Sequence, residues 1–254
     1  MQICSAIGVI RLIQMKVFTA LLMGIMLLSS SITNARSIRT PEGNMPLVHW
    51  AVVEATEGNM QKIIEIGSRV LAYTSAKEAG TYALYGALDV DNPDVMRLLE
   101  IYESNEAYRI HSSSEAFQQY RSERFPILKN LKLLEVNAIA LEQKDTGTGT
   151  IVCMHRYEIY PNQLAEYQRL VTAEAVRAVR YDEGVMGIFV TAEHDNPNII
   201  HTMEIFKDES SRQHYIQSDF FKKLQSQTKN MIQSQKDIEN LPIKIILTNK
   251  GVAK

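Results

Sequence analysis

Residues 91–102 read DNPDVMRLLEIY, and residues 195–206 read DNPNIIHTMEIF. The two stretches lie 104 residues apart, and the same offset joins further pairs without a gap. Ser114-Glu115-Ala116-Phe117 returns as Ser218-Asp219-Phe220-Phe221, and Gly80 returns as Gly184. Matches in one order at one offset mark an internal duplication of a unit of about 100 residues, a usual domain size. Two copies are too few for a solenoid, which needs at least about three. A duplicated small domain whose copies replace the subunits of a symmetric dimer is the better reading.

Outward from that stretch, each copy gives one order of elements. Leu47 to Glu54 is rich in β-branched and aromatic residues and predicts a strand. Met60, Ile63, Ile64, Ile66, Val70 and Leu71 place an apolar stripe on a helix. Thr81–Leu88 and Val95–Tyr102 predict two strands, joined as a hairpin by the Asp-Asn-Pro turn. Ser104 and Ser114 are placed to cap two helical segments, and Leu131–Leu141 supplies a last strand. In the second copy, strands are expected at Ile151–Ile159, Val185–Ala192 and Ile199–Phe206. Helices are expected from about Gln163 to Val179 and from Ser218 to about Lys236, and Leu241–Leu247 closes the unit. The order β-α-β-β-α-β is the ferredoxin-like, split βαβ arrangement.

The fold class expected is therefore α+β, with two tandem ferredoxin-like units at 46–145 and 150–250. Thr146–Thr150, rich in glycine and threonine, reads as a flexible linker. The strands are apolar on both alternations, with Leu99 and Ile101 on one side and Leu98 and Tyr102 on the other. Helices cover one face only, so the second face needs another cover. Stacking the two sheets face to face supplies it.

Residues 1–35 read as a secretory signal peptide. Arg11 and Lys16 precede the apolar stretch Val17–Leu28, and small residues follow to Ala35. Cleavage is expected after Ala35, Met15 is a natural alternative start, and the product would be periplasmic or secreted. The stretch is shorter than the roughly 20 residues of a membrane span. The leader holds two of the 27 basic residues, leaving 25 against 29 acidic ones. That balance gives no footprint for nucleic acid or for an anionic membrane surface. Of the two cysteines only Cys153 stays, so no internal disulfide is expected, and its apolar surroundings read as structural. The chain has no CxxC, HExxH, GxSxG or glycine-rich phosphate loop.

Glu78-x-Gly80, Asp91-x-Pro93, Glu100-x-Tyr102, Ala107, His111, Ser114 and Phe117 together resemble the antibiotic biosynthesis monooxygenase (ABM) family. The second copy carries Asp182-x-Gly184, Asp195-x-Pro197, Glu204-x-Phe206, Ser218 and Phe221, with Tyr215 at the histidine position. The resemblance implies a dimeric α/β barrel, here made within one chain as a pseudo-dimer; further association into a homo-oligomer is compatible with it. It also implies oxidation of a small aromatic or quinol-type substrate with O₂ and without a cofactor. Such chemistry needs an apolar pocket, a base and donors to an oxyanion.

On this reading the expected catalytic residues are His111 as base, Tyr102 as donor and Glu100 as orienting group. The expected substrate-binding residues are His49, Trp50, Phe117, His155, Glu204, Phe206 and Tyr215. No metal is expected. Haem degradation, known in some relatives, is disfavoured, because Tyr102 and Phe206 stand at the tryptophan position and Arg121 and Gln225 at the histidine position. The alternative function is a protein that binds a lipophilic small molecule without turning it over. A cleft open to His111 and Tyr102 would favour chemistry, and a cleft filled with side chains a structural role.

Overall fold

The computed structural model describes residues 35–144 and 149–242, with side chains to residue 238. Strands are β1 (Ala35–Ser37), β2 (Leu47–Ala55), β3 (Thr81–Asp89), β4 (Val95–Tyr102), β5 (Leu128–Lys144), β6 (Ile151–Ile159), β7 (Val185–Glu193), β8 (Ile199–Phe206) and β9 (Ile232–Pro242). Helices are α1 (Met60–Lys77), α2 (Asn105–Ser113), α3 (Glu115–Arg124), α4 (Leu164–Tyr181), α5 (Glu209–Gln217) and α6 (Asp219–Thr228). The expected signal peptide, apart from Ala35 at the start of β1, lies outside the described residues. So do most of the 146–150 linker and the end of the expected 241–247 strand.

The nine strands form one antiparallel sheet in the order β1-β5-β2-β4-β3-β9-β6-β8-β7. A further pairing of β5 with β7 closes eight of them into a ring. The two four-stranded halves face one another, as expected, and exchange strands at their seams. The start of β5 pairs with β2 of its own repeat, and its end pairs with β7 of the other. The end of β9 pairs with β3 in return. The exchange is reciprocal residue by residue: Glu193 opposes Val136, and Asp89 opposes Asn240, 104 positions away on both strands. Closure consumes backbone groups that open sheet edges would leave unpaired. Pro242, which has no N–H to give, sits at the last position of its strand.

Strand alternation sorts the side chains into three cores. Val48, Trp50, Tyr85, Leu99 and Ile101 meet Val152, Met154, Phe189, Met203 and Ile205 inside the ring. Trp50 gives its indole N–H to Thr191 Oγ1 at 3.0 Å, and Tyr85 bonds Gln143. The outer face of the first repeat packs Val53, Ala55 and Met96 against Met60, Ile63, Ile66 and Val70 of α1 and Tyr120 of α3. The outer face of the second repeat packs Ile188, Val190 and Ile200 against Tyr167, Ala175, Ala178 and Val179 of α4 and Tyr215 of α5.

The recurrent motif residues hold this frame. Ser104 Oγ and Ser114 Oγ each accept a helix N–H at 3.2 Å, as N-caps. Asp208 and Ser218 repeat the pattern in the second copy. Gly80 and Gly184 are required by close approach. A Cβ on Gly80 would lie 2.7 Å from the Ala107 side chain, and one on Gly184 2.3 Å from that of Ser211. One expectation is corrected. The helix anticipated from Ser218 to Lys236 ends at Thr228, and β9 begins at Ile232. The polar segment 232–240 is drawn into the sheet because β6 needs a partner, and pairing outweighs its weak local preference.

Candidate functional site

Glu100 and Tyr102, at alternate positions on β4, point away from the ring interior toward the helices. Ring contacts link Tyr102 to His111 (5.5 Å between centroids) and His111 to Phe117 (4.8 Å). The expected catalytic trio is thus brought together, but around very little space. The cavity touching Glu100, His111 and Phe117 measures about 60 Å³. At about 30 Å³ per water in the liquid, that is room for a solvent molecule or two and not for an aromatic ring. Tyr120 fills the remainder, lying against Gly67, and the Arg124 guanidinium stacks 4.5 Å above the Tyr120 ring.

His111 is 4 % exposed, and its Nδ1 lies 2.6 Å from Glu78 Oε2. Burial acts to raise the Glu78 pKa, but hydrogen bonding and charge from His111, with help from Thr81 and Ser114, hold it below the ordinary value. Glu100 is raised by burial, although it accepts the Tyr102 hydroxyl at 3.1 Å. His49 stacks edge-on against Tyr108 at 4.6 Å, away from the cavity. Burial is the main force lowering its pKa, against the charge of Glu135. Trp50, expected at the substrate, points into the ring interior instead, because position 50 has the inward parity of β2. The first repeat is therefore a filled cleft.

The second repeat holds a cavity of about 720 Å³ between its sheet and α4, α5 and α6. Val171, Ala175, Ile188, Val190, Ile216, Phe221 and Leu224 give it apolar walls. Gln225, Lys229, Gln233 and Gln235, all exposed, ring the mouth. Its volume is in the range of small-molecule sites. Two changes remove bulk at the opening: where the first repeat has Tyr120 and Arg124, the second has Leu224 and Thr228.

His155 of β6 and Asp237 of β9 are direct cross-strand partners on the wall of this cavity. Nδ1 of His155 lies 2.8 Å from Asp237 Oδ1. With that N–H given to the carboxylate, Nε2 is left as an acceptor facing the cavity. The Gln235 amide bonds the same Asp237 oxygen at 2.6 Å. Gln235 first, and His155 after it, keep Asp237 below the usual carboxylate range against the effect of burial. Glu204 Oε2 stands 3.9 Å from His155 Nε2. Burial pushes the Glu204 carboxyl up, and His155 and Arg212 offset this in part. Tyr157 and Tyr167 also line the wall, and burial together with the Glu204 charge raises both phenols. Cys153 is pushed up to about 11 by burial and then by Glu204, as befits an unreactive thiol.

Phe206 and Tyr215 repeat the geometry of Tyr102 and His111, with 5.5 Å between centroids and 41° between planes in both pairs. His111 thus occupies an aromatic packing slot that the second repeat fills with a tyrosine. Of the residues expected from the sequence, His155, Glu204 and Tyr215 share the large cavity, with Phe206 packed behind Tyr215. Asp237, Tyr157 and Tyr167 were missed. The signal for Asp237 was a polar residue at 237 where the first repeat has Leu133. Among the described residues no group of three or more His, Cys, Asp or Glu side chains is arranged to hold a metal ion, and no helix is long and apolar enough to cross a membrane.

The sequence profile of the family described as "Antibiotic biosynthesis monooxygenase" matches twice, at residues 46–123 and 150–227. No curated protein matches the chain. Among solved structures, the fold is similar to that of a candidate monooxygenase from Lactobacillus acidophilus NCFM (TM-score 0.77, 13% identity, covering 83% of this chain and 100% of that one). It is also similar to one from Fusobacterium nucleatum (TM-score 0.73, 20% identity, 83% and 97%). An anthrone oxidase-like protein shares it more distantly (TM-score 0.56, 10% identity, 82% and 94%). At these identities the likeness is one of fold.

Proposed function

Because the chain belongs to the antibiotic biosynthesis monooxygenase family, as a tandem duplication of its domain, we propose that it oxidises a small electron-rich aromatic molecule with O₂ in the cavity of the second repeat. The substrate class is a quinol, phenol or anthrone. One observation carries this reading: a cavity of about 720 Å³ with apolar walls, into which a histidine held by a carboxylate presents a free ring nitrogen.

His155 Nε2 takes the proton of the substrate's hydroxyl or activated CH, and Asp237 holds the ring in the tautomer that can do so. The resulting anion is electron-rich enough to pass an electron to O₂, and the two radicals combine. For an anthrone-type CH₂, one oxygen atom becomes the new carbonyl and the other leaves as water. The substrate supplies the reducing electrons, so the reading needs no cofactor.

O₂ uptake over hydroquinones and anthrones, with flavin and metal excluded, tests this reading. Uptake that collapses in His155→Ala and persists in His111→Ala supports it, and uptake indistinguishable from buffer across the panel defeats it. Binding without turnover is the second reading, favoured by the same apolar lining, and saturable binding with no O₂ uptake would establish it. Export by the leader at residues 1–35 belongs to the proposal too. N-terminal sequencing of protein from the periplasm or medium should begin at Arg36, and a start at Met1 or Met15 would contradict it.

A further inference from the structure

The two repeats share a half-buried glutamate, Glu100 and Glu204, but treat it differently. In the first repeat the Tyr102 hydroxyl, two residues along the same strand, donates to Glu100 at 3.1 Å. In the second repeat Phe206 occupies that slot, as deeply buried as Tyr102 and at the same angle to the next ring. Phenylalanine has no hydroxyl to give. Glu204 therefore presents its carboxyl to the cavity, where His155 Nε2 faces it at 3.9 Å. That separation is too wide for a hydrogen bond. An oxygen atom seated over the gap would reach both groups at about 2.7–3.0 Å.

We propose that the ligand of this cavity is recognised through a phenolic or enolic hydroxyl seated between His155 Nε2 and Glu204, and that Phe206 keeps the seat vacant. The hydroxyl donates to Nε2 and accepts from the Glu204 carboxylic acid. When the proton moves to His155, the oxyanion left behind keeps the Glu204 O–H as a donor, so charge and protons balance within the three groups. The direction in which burial pushes the Glu204 carboxyl agrees with its acting as a donor. Tyr157, Tyr167 and Tyr215 line the same cavity and give it aromatic surface suited to an aromatic body. The inference rests on the second-repeat reading above and names the group which that site selects.

Isothermal titration of the purified protein with 1-naphthol and with 1-methoxynaphthalene tests it. The two differ little in shape, but only the first can donate. Wild type should bind 1-naphthol at least about tenfold more tightly, the value of one hydrogen bond to a charged or strongly polar partner. Phe206→Tyr supplies Glu204 with the donor that Glu100 has, and should erase this preference while leaving binding of the methyl ether in place. Should that variant melt early, His155→Phe carries the test and should lose the preference as well, because it removes the acceptor that only the hydroxyl can use. Equal affinities in wild type, no binding of 1-naphthol, or a preference that survives both substitutions would overturn the proposal. Its failure is separable from that of the oxidation reading: a naphthol preference without O₂ uptake removes only the chemistry, and His155-dependent uptake without the preference removes only this inference.

Discussion

One cross-strand pair separates the two halves of the molecule. On the outer face of the sheet, the first repeat places Ala51 opposite Leu133, and the second places His155 opposite Asp237. A turn of helix away, the first repeat has Tyr120 and Arg124 where the second has Leu224 and Thr228. The frame is the same to within the register of the exchanged strands. The first repeat spends its volume on packing, and the second leaves about 720 Å³ empty beside a polar pair. A covalent pseudo-dimer permits this division, because a symmetric dimer must carry both features in both subunits.

The comparison breaks most sharply at the histidines. His155→Ala is expected to lower kcat/KM by roughly 10²–10⁴-fold, the usual contribution of a positioned general base. His111→Ala should leave turnover near wild type and lower stability instead, by about 1–3 kcal/mol, because it removes one buried hydrogen-bond partner of Glu78. Steady-state O₂ uptake and thermal melts on the two variants check both halves. The reverse pattern would return the site to the first repeat.

Transplanting the filling side chains comes next. Leu224→Tyr with Thr228→Arg should close the second cavity, abolish ligand binding and leave the melting temperature unchanged or raised. Tyr120→Leu with Arg124→Thr should open the first cleft at a stability cost of about 2–4 kcal/mol, as for other large-to-small changes in a core. The opened cleft would hold ligand but lack the His155–Asp237 pair, since Ala51 and Leu133 stand at those positions. Denaturant unfolding and calorimetric titration report the two effects separately.

Much of this architecture was legible in the chain itself. The repeat, the Asp-Asn-Pro turns, the serine caps and the alternation of Leu99 and Ile101 with Leu98 and Tyr102 are local signals, and local signals survive folding. The site was harder to see, because its two polar members lie 82 residues apart and meet only through strand register. Asp237 sits in a polar segment whose local preference suggested a helix, and the need of β6 for a partner overrode it. His111 stood out because it matches a family motif, yet its slot is filled equally well by Tyr215. Comparing positions across the 104-residue offset would have exposed the site, since a polar residue facing outward where the other copy has Ala51 or Leu133 has no packing reason to be there.

The smallest expected effect concerns pH. Glu78 is held below its ordinary value in the folded state, so the stability its charge contributes is present above the unfolded carboxylate value of about 4.3 and is lost as pH falls through the lower folded value. The melting difference between wild type and Glu78→Gln should therefore be at its full value near pH 5.5 and shrink below about pH 4.3. A difference that grows toward acid would reverse the assigned sign.

The central claim is that the second repeat holds the working site and the first is closed. Methyl-resolved NMR during titration with 1-naphthol addresses it most directly. Shifts should concentrate on Ile188, Val190 and Ile216, which line the large cavity, and should spare Ile63, Leu84 and Leu98 around the small one. Perturbation centred on Ile63, Leu84 and Leu98 with the second repeat silent would contradict it.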